Sequence, residues 1–128
     1  MISFAENIEA NEKVIIKYLT TSDDEYRLCN ENNELINREK LLKLIKPNFF
    51  GNQSLEEMCR IMKLFYSEFG KIPNHDELWQ MLKIKNSEIA KEEVDIIFGL
   101  NMSRYSQDFF YKYLKTFVLK GNLESTLM

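Results

Sequence analysis

The sequence predicts an all-α fold, a compact orthogonal bundle of about six or seven helices. Three observations lead to this prediction. Apolar residues make up 45% of the chain and charged residues 29%, a balance typical of a folded protein. Only 4 glycines and 2 prolines are present, fewer than a turn-rich β-protein needs. Apolar residues also recur at helical spacing in several segments that are separated by residues typical of helix ends.

The length and charge of the chain limit the classes of protein to which it can belong. A chain of 128 residues has the size of one domain, so we expect residues 1–128 to form a single helical domain. The net charge of −3 provides no basic field over the whole domain, so contact with DNA requires a local patch. Cys29 and Cys59 are too few for a disulfide framework and indicate a reduced, cytoplasmic protein. No stretch resembles a signal peptide or a membrane span, and we expect no membrane partner.

The first predicted helix covers residues 8–19, where apolar residues recur at four-residue spacing. It ends in a run of Thr, Ser and Asp residues at 20–24, which tend to bond to their own backbone. Residues 26–36 are harder to interpret, because a polar, turn-like centre lies between flanks that have some strand propensity. A small β-hairpin and a loop fit this segment equally well.

The second predicted helix is short, because Asn37 is a suitable N-cap and Pro47 forces the residue before it out of the helical region. Three apolar side chains are expected on its buried side: Leu41, Leu44 and Ile45. Three lysines share the opposite side: Lys40, Lys43 and Lys46. They are weak candidates for contact with nucleic acid or a partner, because spaced lysines on an amphipathic helix need no ligand to be exposed.

The third predicted helix has the clearest pattern in the chain. Ser54 is expected to cap its start, with Glu57 three residues later completing a capping box. Apolar residues follow the 3.6-residue period as far as Gly70, which is expected to end the helix in the left-handed conformation. We interpret the Met and aromatic stripe of this helix as core rather than as a cofactor pocket, because buried helices carry such stripes.

Three further helices are predicted in the second half of the chain. Asn74 and Glu77 have the spacing of a capping box at the start of the fourth helix. The fifth is expected to open at Ser87 and the sixth near Ser106. We expect the Gly-Asn pair at 121–122 to interrupt the sixth helix.

The sixth helix is predicted to be a self-association surface. Its aromatic residues widen the apolar surface beyond one stripe, and a helix of this kind must bury the excess against something. The candidate residues for self-association are Phe109, Phe110, Tyr113, Leu114 and Phe117.

No catalytic, cofactor-binding or metal-binding residue is predicted. The positions around Gly70 lack the first glycine and the Ser or Thr of a phosphate-binding loop. His75, the one histidine, precedes two acidic residues, but consecutive residues at a helix start do not face each other. We interpret it as an exposed polar residue of the first turn. Cys29, Cys59 and His75 lack the short spacings of structural zinc sites.

The order of these features resembles the N-terminal domain of DnaB-like replicative DNA helicases, including those of T-even phages. In that family an opening helix leads to a short apolar helix that ends near a proline and a Phe-containing turn. A long helix, a glycine break, a proline-containing loop and another helix follow. The matching segments here are residues 14–19, 41–47, 48–49, 54–69, Gly70, Pro73 and 78–82. Residues 111–119 resemble the start of the long hairpin helix of the family.

The resemblance implies a noncatalytic domain that pairs through helical hairpins, from a dimer up to a hexameric ring, and docks primase or the helicase loader. We therefore expect this fold to end in the start of a helical hairpin and the 128 residues to be the N-terminal part of a longer helicase. ATP and magnesium are expected only in an ATPase domain outside these residues, so no cofactor is expected here. DNA contact is expected to be weak or absent.

The alternative interpretation is a freestanding helical adaptor or loader-like replication protein that binds a helicase or single-stranded DNA. Both interpretations place the protein in the cytoplasm of a bacterial cell or of a phage-infected host.

Overall fold

Six α-helices and two short 3₁₀ helices follow one another in the computed structural model, which describes the backbone of residues 8–127 and the side chains of residues 12–121. The α-helices are α1 (Ile8–Leu19), α2 (Arg38–Leu44), α3 (Gln53–Phe69), α4 (His75–Ile84), α5 (Lys91–Phe98) and α6 (Gln107–Leu127). The 3₁₀ helices are Pro47–Phe49 and Met102–Arg104. Over residues 8–127 no strand is present, and the predicted all-α class is confirmed. No helix in this range is both long enough and apolar enough to cross a membrane.

Several helix ends follow the sequence predictions because local side chains satisfy the free backbone groups. Asn37 Oδ1 accepts a hydrogen bond from Lys40 N at 3.0 Å at the start of α2. Asn74 and Glu77 form the predicted capping box of α4, with reciprocal bonds of 2.8 and 2.9 Å. Gly70 ends α3 with φ of 73°, the left-handed conformation that glycine adopts without steric cost.

The predicted start of α3 was wrong. Asn52, with an extended backbone, is the N-cap and accepts from Leu55 N at 3.1 Å. Ser54 lies inside the first turn, and its Oγ donates to Glu93 Oε1 of α5 at 3.0 Å instead of closing a capping box with Glu57. Two residue types that favour the N-cap stand two positions apart here, and only one of them can hold that position.

The start of α5 was also predicted too early, whereas the start of α6 was predicted correctly. Ser87 Oγ accepts from Ile89 N at 3.2 Å and so stabilises the turn before α5. The N-cap is Ala90, whose backbone N–H donates to the Glu93 carboxylate at 2.9 Å. Ser106 precedes α6, and its Oγ accepts from the backbone of the first turn of that helix at 3.2 Å.

Residues 26–36 form a loop that contains a single antiparallel bridge, between Cys29 and Leu35. Asn30 N donates to Glu34 O at 2.9 Å next to that bridge. Asn33 turns the chain with φ of 60°, a conformation that asparagine adopts more readily than most residues. Of the two alternatives for this segment, the loop is therefore the one observed.

The core is built around α1 and α3. α1 packs against α2, α3 and α5, and α3 packs against α4 and the first 3₁₀ helix. The Met and aromatic stripe of α3 is core over most of its length, with Met58 and Met62 fully buried and Phe65 buried. The prediction was wrong for Phe69 at the end of the helix, which is 59% exposed. Each side chain of this size stabilises the fold by about 1.5–3 kcal/mol when it is fully buried.

The buried face of α2 differs from the prediction. Leu41 and Ile45 are buried as expected, but Leu42 takes the place of Leu44, which is 59% exposed. The predicted set contains Leu44 and the observed set contains Leu42, each together with Leu41 and Ile45. Each set spans an arc of about 100° around this short helix, so periodicity alone does not choose between them. The packing of α2 against α1 selects the set that includes Leu42.

Arg38 at the start of α2 ties α1 to the loop that follows it. Its guanidinium donates to Tyr18 O at 3.0 Å and to Tyr26 O at 2.7 Å, and it pairs with Asp23. It also lies over the Tyr18 ring, 4.2 Å from the centroid. Tyr18 in turn meets the edges of Tyr26 and Phe110, so this cluster connects α1, α2 and α6.

Candidate functional site

α6 carries the predicted self-association residues, and the structure divides them between two sides of the helix. Four of the five are buried in the core of the same chain: Phe110, Tyr113, Leu114 and Phe117. The sequence named all five as candidates for self-association, and these four are instead covered by other parts of the same chain. Phe109 is 51% exposed and is the one residue of the five that a partner can reach.

The inner side of α6 is buried because the first half of the chain supplies its partners. Phe110 packs against the edge of Tyr18, with ring centroids 5.2 Å apart. Phe117 packs against Phe49 at 6.1 Å and Phe50 at 5.0 Å. These partners lie far away along the chain, so the periodicity of α6 alone could not show which residues cover its extra apolar surface.

α6 continues without interruption through the Gly-Asn pair at 121–122, where the sequence predicted a break. Gly121 lies directly against the Phe49 ring, and a Cβ at this position would be 2.3 Å from Phe49 Cγ. Position 121 follows Phe117 at four-residue spacing on the inner side of the helix. The glycine therefore permits close packing and does not end the helix.

The outer face of α6 consists of four exposed residues at helical spacing: Phe109, Lys112, Thr116 and Leu119. Leu119 is 54% exposed and was not among the predicted candidates. Steps of three, four and three residues lead from Phe109 through Lys112 and Thr116 to Leu119, so these side chains lie within an arc of about 80° around the helix. This run of helical spacings is the sequence signal that would have included Leu119.

A groove of about 350 Å³ lies beside the inner side of α6, where α6 meets α1 and the first 3₁₀ helix. Glu12 of α1 is only 5% exposed there, and its carboxylate accepts from Gly51 N at 2.7 Å. Burial, and then the charge of Glu12, raise the pKa of Tyr113 above its usual range. The Glu12–Gly51 bond fastens the loop before α3 to α1, which is a structural role.

The basic face lies on α2, the turn after it, and α3. It consists of four lysines: Lys40, Lys43, Lys46 and Lys63. The first three are exposed, as the sequence predicted, and Lys43 Nζ lies 5.6 Å from the centroid of the Tyr66 ring. Lys63 Nζ donates to Leu42 O in the last turn of α2 at 2.7 Å. Sequence reasoning missed Lys63 because it belongs to a different helix.

The side chain of His75 was predicted to be exposed and is 42% exposed, because two contacts hold it against another helix. Its Nε2 lies 2.8 Å from Asp95 Oδ1 of α5, and its ring stacks on Phe98 with centroids 4.4 Å apart and planes 6° apart. Lys17 of α1 donates to the Phe98 carbonyl at 2.8 Å. The contacts of His75 with Asp95 and Phe98 therefore fasten α4 to α5. The local sequence around His75 does not indicate this role.

The two cysteines are free thiols. Cys59 is buried in α3, and burial raises the pKa of its thiol to about 12, which leaves it in the unreactive protonated form at neutral pH. Cys29 is half-buried in the loop at 26–36. In the part of the chain that the structure describes, no three His, Cys, Asp or Glu side chains are grouped so that they could hold a metal ion.

Three kinds of comparison bear on the resemblance to DnaB-like helicase domains: those with protein-family models, with curated proteins and with solved structures. The resemblance, and the helical hairpin that it implies after α6, stay predictions that depend on the residues quoted above. None of the three comparisons gives a significant match to this chain.

Proposed function

We propose that this chain is the noncatalytic N-terminal domain of a DnaB-like replicative DNA helicase, that it takes part in assembly of the helicase ring, and that it docks primase or the helicase loader. The protein works in the cytoplasm of a bacterial cell or a phage-infected host. ATP and magnesium bind to the ATPase domain of the helicase and not to these residues. The observation that carries the proposal is the outer face of α6.

The inner side of α6 makes that outer face rigid. Phe110 and Phe117 are held by aromatic contacts to α1 and to the segment before α3, at two points along the helix. A helix fixed in this way presents Phe109 and Leu119 in a constant direction, so a partner that covers them has to order their side chains but not the helix backbone.

The spacing of the outer face is compatible with pairing between two copies of α6. If two such helices pack antiparallel about a twofold axis at position 114, Phe109 of each copy lies opposite Leu119 of the other. Lys112 lies opposite Thr116 in the same arrangement, so the two lysines do not face each other. The apolar residues are about 15 Å apart along the helix, so each pair of helices has two apolar contacts.

Light scattering on the purified chain over a wide concentration range tests the assembly role. We expect the apparent mass to rise with concentration for the wild type and to stay at the monomer value for Leu119→Glu. The matched control is Ile84→Glu, which places the same charge at a residue of α4 that is 68% exposed. A wild-type chain that stays monomeric at the highest concentration, or equal behaviour of the two variants, would refute the role of the outer face.

The helicase assignment has a separate test in the gene that encodes the chain. A phosphate-binding loop downstream in the same reading frame supports the assignment, because that loop is the nucleotide site of the ATPase domain. A stop codon directly after Met128 would refute it and favour the freestanding adaptor.

The second candidate function is the freestanding adaptor, and the basic face is the surface through which it would contact single-stranded DNA. A titration with single-stranded DNA at several salt concentrations distinguishes the two. DNA binding by the adaptor through Lys40, Lys43 and Lys46 is expected to weaken steeply as salt rises, since each phosphate contact releases counterions.

A further inference from the structure

We propose that the basic face, together with the exposed Leu44, is a docking site for an acidic, leucine-bearing helical segment of a partner protein. This inference rests on the docking part of the proposed function and is independent of ring assembly through α6. It names the surface that receives the partner and the chemistry of the segment that binds there.

The residues of this site are brought together by the two helices. Lys40 and Leu44 are four residues apart on α2, so their side chains lie next to each other on its exposed side. Lys43 lies beside them and reaches over the Tyr66 ring of α3. A groove of about 340 Å³ runs between the two helices, and Leu42, Lys43, Lys63, Tyr66 and Ser67 line it.

The four lysines concentrate positive charge, and none of them forms an ion pair with another residue whose side chain the structure describes. Burial lowers the pKa of Lys63, and the nearby charge of Lys46 lowers it further. A carboxylate placed between these two ammonium groups would relieve their repulsion, because opposite charges at short range favour the charged forms.

The local geometry favours a peptide over a nucleic acid as the occupant. Proteins that bind single-stranded DNA stack its bases on aromatic rings. Here Lys43 lies over the Tyr66 ring, and the Tyr66 hydroxyl donates to Glu39 at 3.3 Å, so this ring is not free for stacking. The Glu39 carboxylate at the edge of the face, and the net charge of −3 on the chain, also oppose a long polyanion.

An acidic helix satisfies both the charge and the apolar part of the site. Leu44 is exposed between lysines, where a single apolar side chain of a partner can cover it. Asp and Glu residues on either side of a leucine would then meet Lys40, Lys43 and Lys46. Leucines at positions i and i+4 of the partner would reach Leu44 and the groove at Tyr66 from one side of a helix.

The experiment is a fluorescence anisotropy titration with a labelled synthetic peptide. The peptide is about three turns long, rich in Glu and Asp, and has leucines at i and i+4. A second peptide with serines in place of the leucines tests the apolar contribution, and a labelled oligothymidine tests the nucleic acid alternative. All three probes are measured at low and at physiological salt.

Two matched sets of variants locate the binding site. The triple variant Lys40→Gln, Lys43→Gln and Lys46→Gln neutralises the basic face without touching Lys63, which caps α2. Its control neutralises three exposed lysines elsewhere: Lys83, Lys85 and Lys91. Leu44→Ser removes the apolar centre, and Ile84→Ser is its control at an exposed apolar position on α4. Thermal melts show whether each variant is folded.

We expect the leucine-bearing peptide to bind, the serine peptide to bind several-fold more weakly, and the triple variant to lose about tenfold in affinity relative to its control. Leu44→Ser is expected to lose about three- to tenfold. No peptide binding, or equal losses in the two triple variants, would overturn the proposal. Tighter binding of oligothymidine than of the peptide would overturn it in favour of a nucleic acid site. The triple variant leaves α6 unchanged, so light scattering on this variant tests ring assembly separately. A failure to bind the peptide therefore does not count against ring assembly.

Discussion

Gly121→Ala is the substitution for which helix propensity and the observed packing predict opposite changes in the stability of the fold. Alanine is better than glycine in a helix interior by about 1 kcal/mol, so the sequence alone predicts that the variant is more stable. The structure places the new Cβ 2.3 Å from Phe49 Cγ and 2.5 Å from both of its Cδ atoms. Carbon atoms pack favourably at about 3.5–4.0 Å, so the ring must move by more than about 1 Å.

Movement of the Phe49 ring disturbs its contact with Phe117. Overpacking of this kind costs about 1–3 kcal/mol, and a displacement this large belongs at the upper end of that range. After the gain in helix propensity, we expect Gly121→Ala to destabilise the fold by about 2 kcal/mol. For a chain of this size, about 1 kcal/mol corresponds to about 4 °C, so the melting temperature is expected to fall by about 8 °C.

A double-mutant cycle with Phe49→Ala isolates this contact. Phe49→Leu would keep a Cγ at the point of collision, so alanine is the appropriate partner. In the Phe49→Ala background, Gly121→Ala is expected to be neutral or stabilising, which gives a coupling energy of about 2–3 kcal/mol. The control for helix propensity is Thr116→Ala on the outer face, which should stabilise by a few tenths of a kcal/mol. Stabilisation by Gly121→Ala in the wild-type background would refute the reasoning.

Three further substitutions test the core and the helix ends by urea or thermal denaturation. The Tyr18 hydroxyl is buried and has no hydrogen-bond partner among the described residues, so Tyr18→Phe is expected to stabilise by about 1 kcal/mol; a loss of stability would mean that the hydroxyl is bonded. Burial also raises the pKa of Tyr18 from 10.0 to about 12, so the folded state favours its neutral form. The wild type should therefore lose stability as pH rises from 10 towards 12, and Tyr18→Phe should lose less. Arg38→Lys is expected to destabilise by about 2 kcal/mol, because an ammonium group cannot reproduce the planar donation and stacking of the guanidinium. Arg60→Lys, which alters a surface ion pair, is its near-neutral control, and equal losses would contradict the role of Arg38. Asn74→Ala removes the N-cap of α4 and should cost about 1 kcal/mol, whereas an unchanged melting temperature would show that the cap contributes nothing.

The helix ends that were predicted correctly depend on residues close together in sequence. Asn37, Gly70 and the Asn74–Glu77 box satisfy backbone groups within three or four residues, so their spacing carries the information. The start of α3 was wrong because Asn52 and Ser54 are both suitable caps, and local spacing does not decide between them.

The candidate surfaces depend on contacts that spacing does not encode. Phe110 and Phe117 are buried only because α1 and the segment before α3 cover them, and these segments lie far away in the chain. Gly121 was interpreted as a break because its packing partner, Phe49, also lies far away. The basic face was predicted from three lysines, but Lys63 joins it from α3 only in the folded chain.

The contacts around Phe98 couple local unfolding of α5 to movements of α1 and α4. α5 has eight residues and an N-cap without a side-chain hydrogen bond, and a helix this short is not stable in isolation. Its C-terminal end is held by Lys17 of α1 and by the stacked His75 of α4. The amide protons of α5 should therefore exchange with solvent whenever either neighbour moves away, so that α1, α4 and α5 behave as one cooperative unit of local unfolding. A partner that pulls on α4 would raise the exchange rate in α5, even though it touches no residue of that helix.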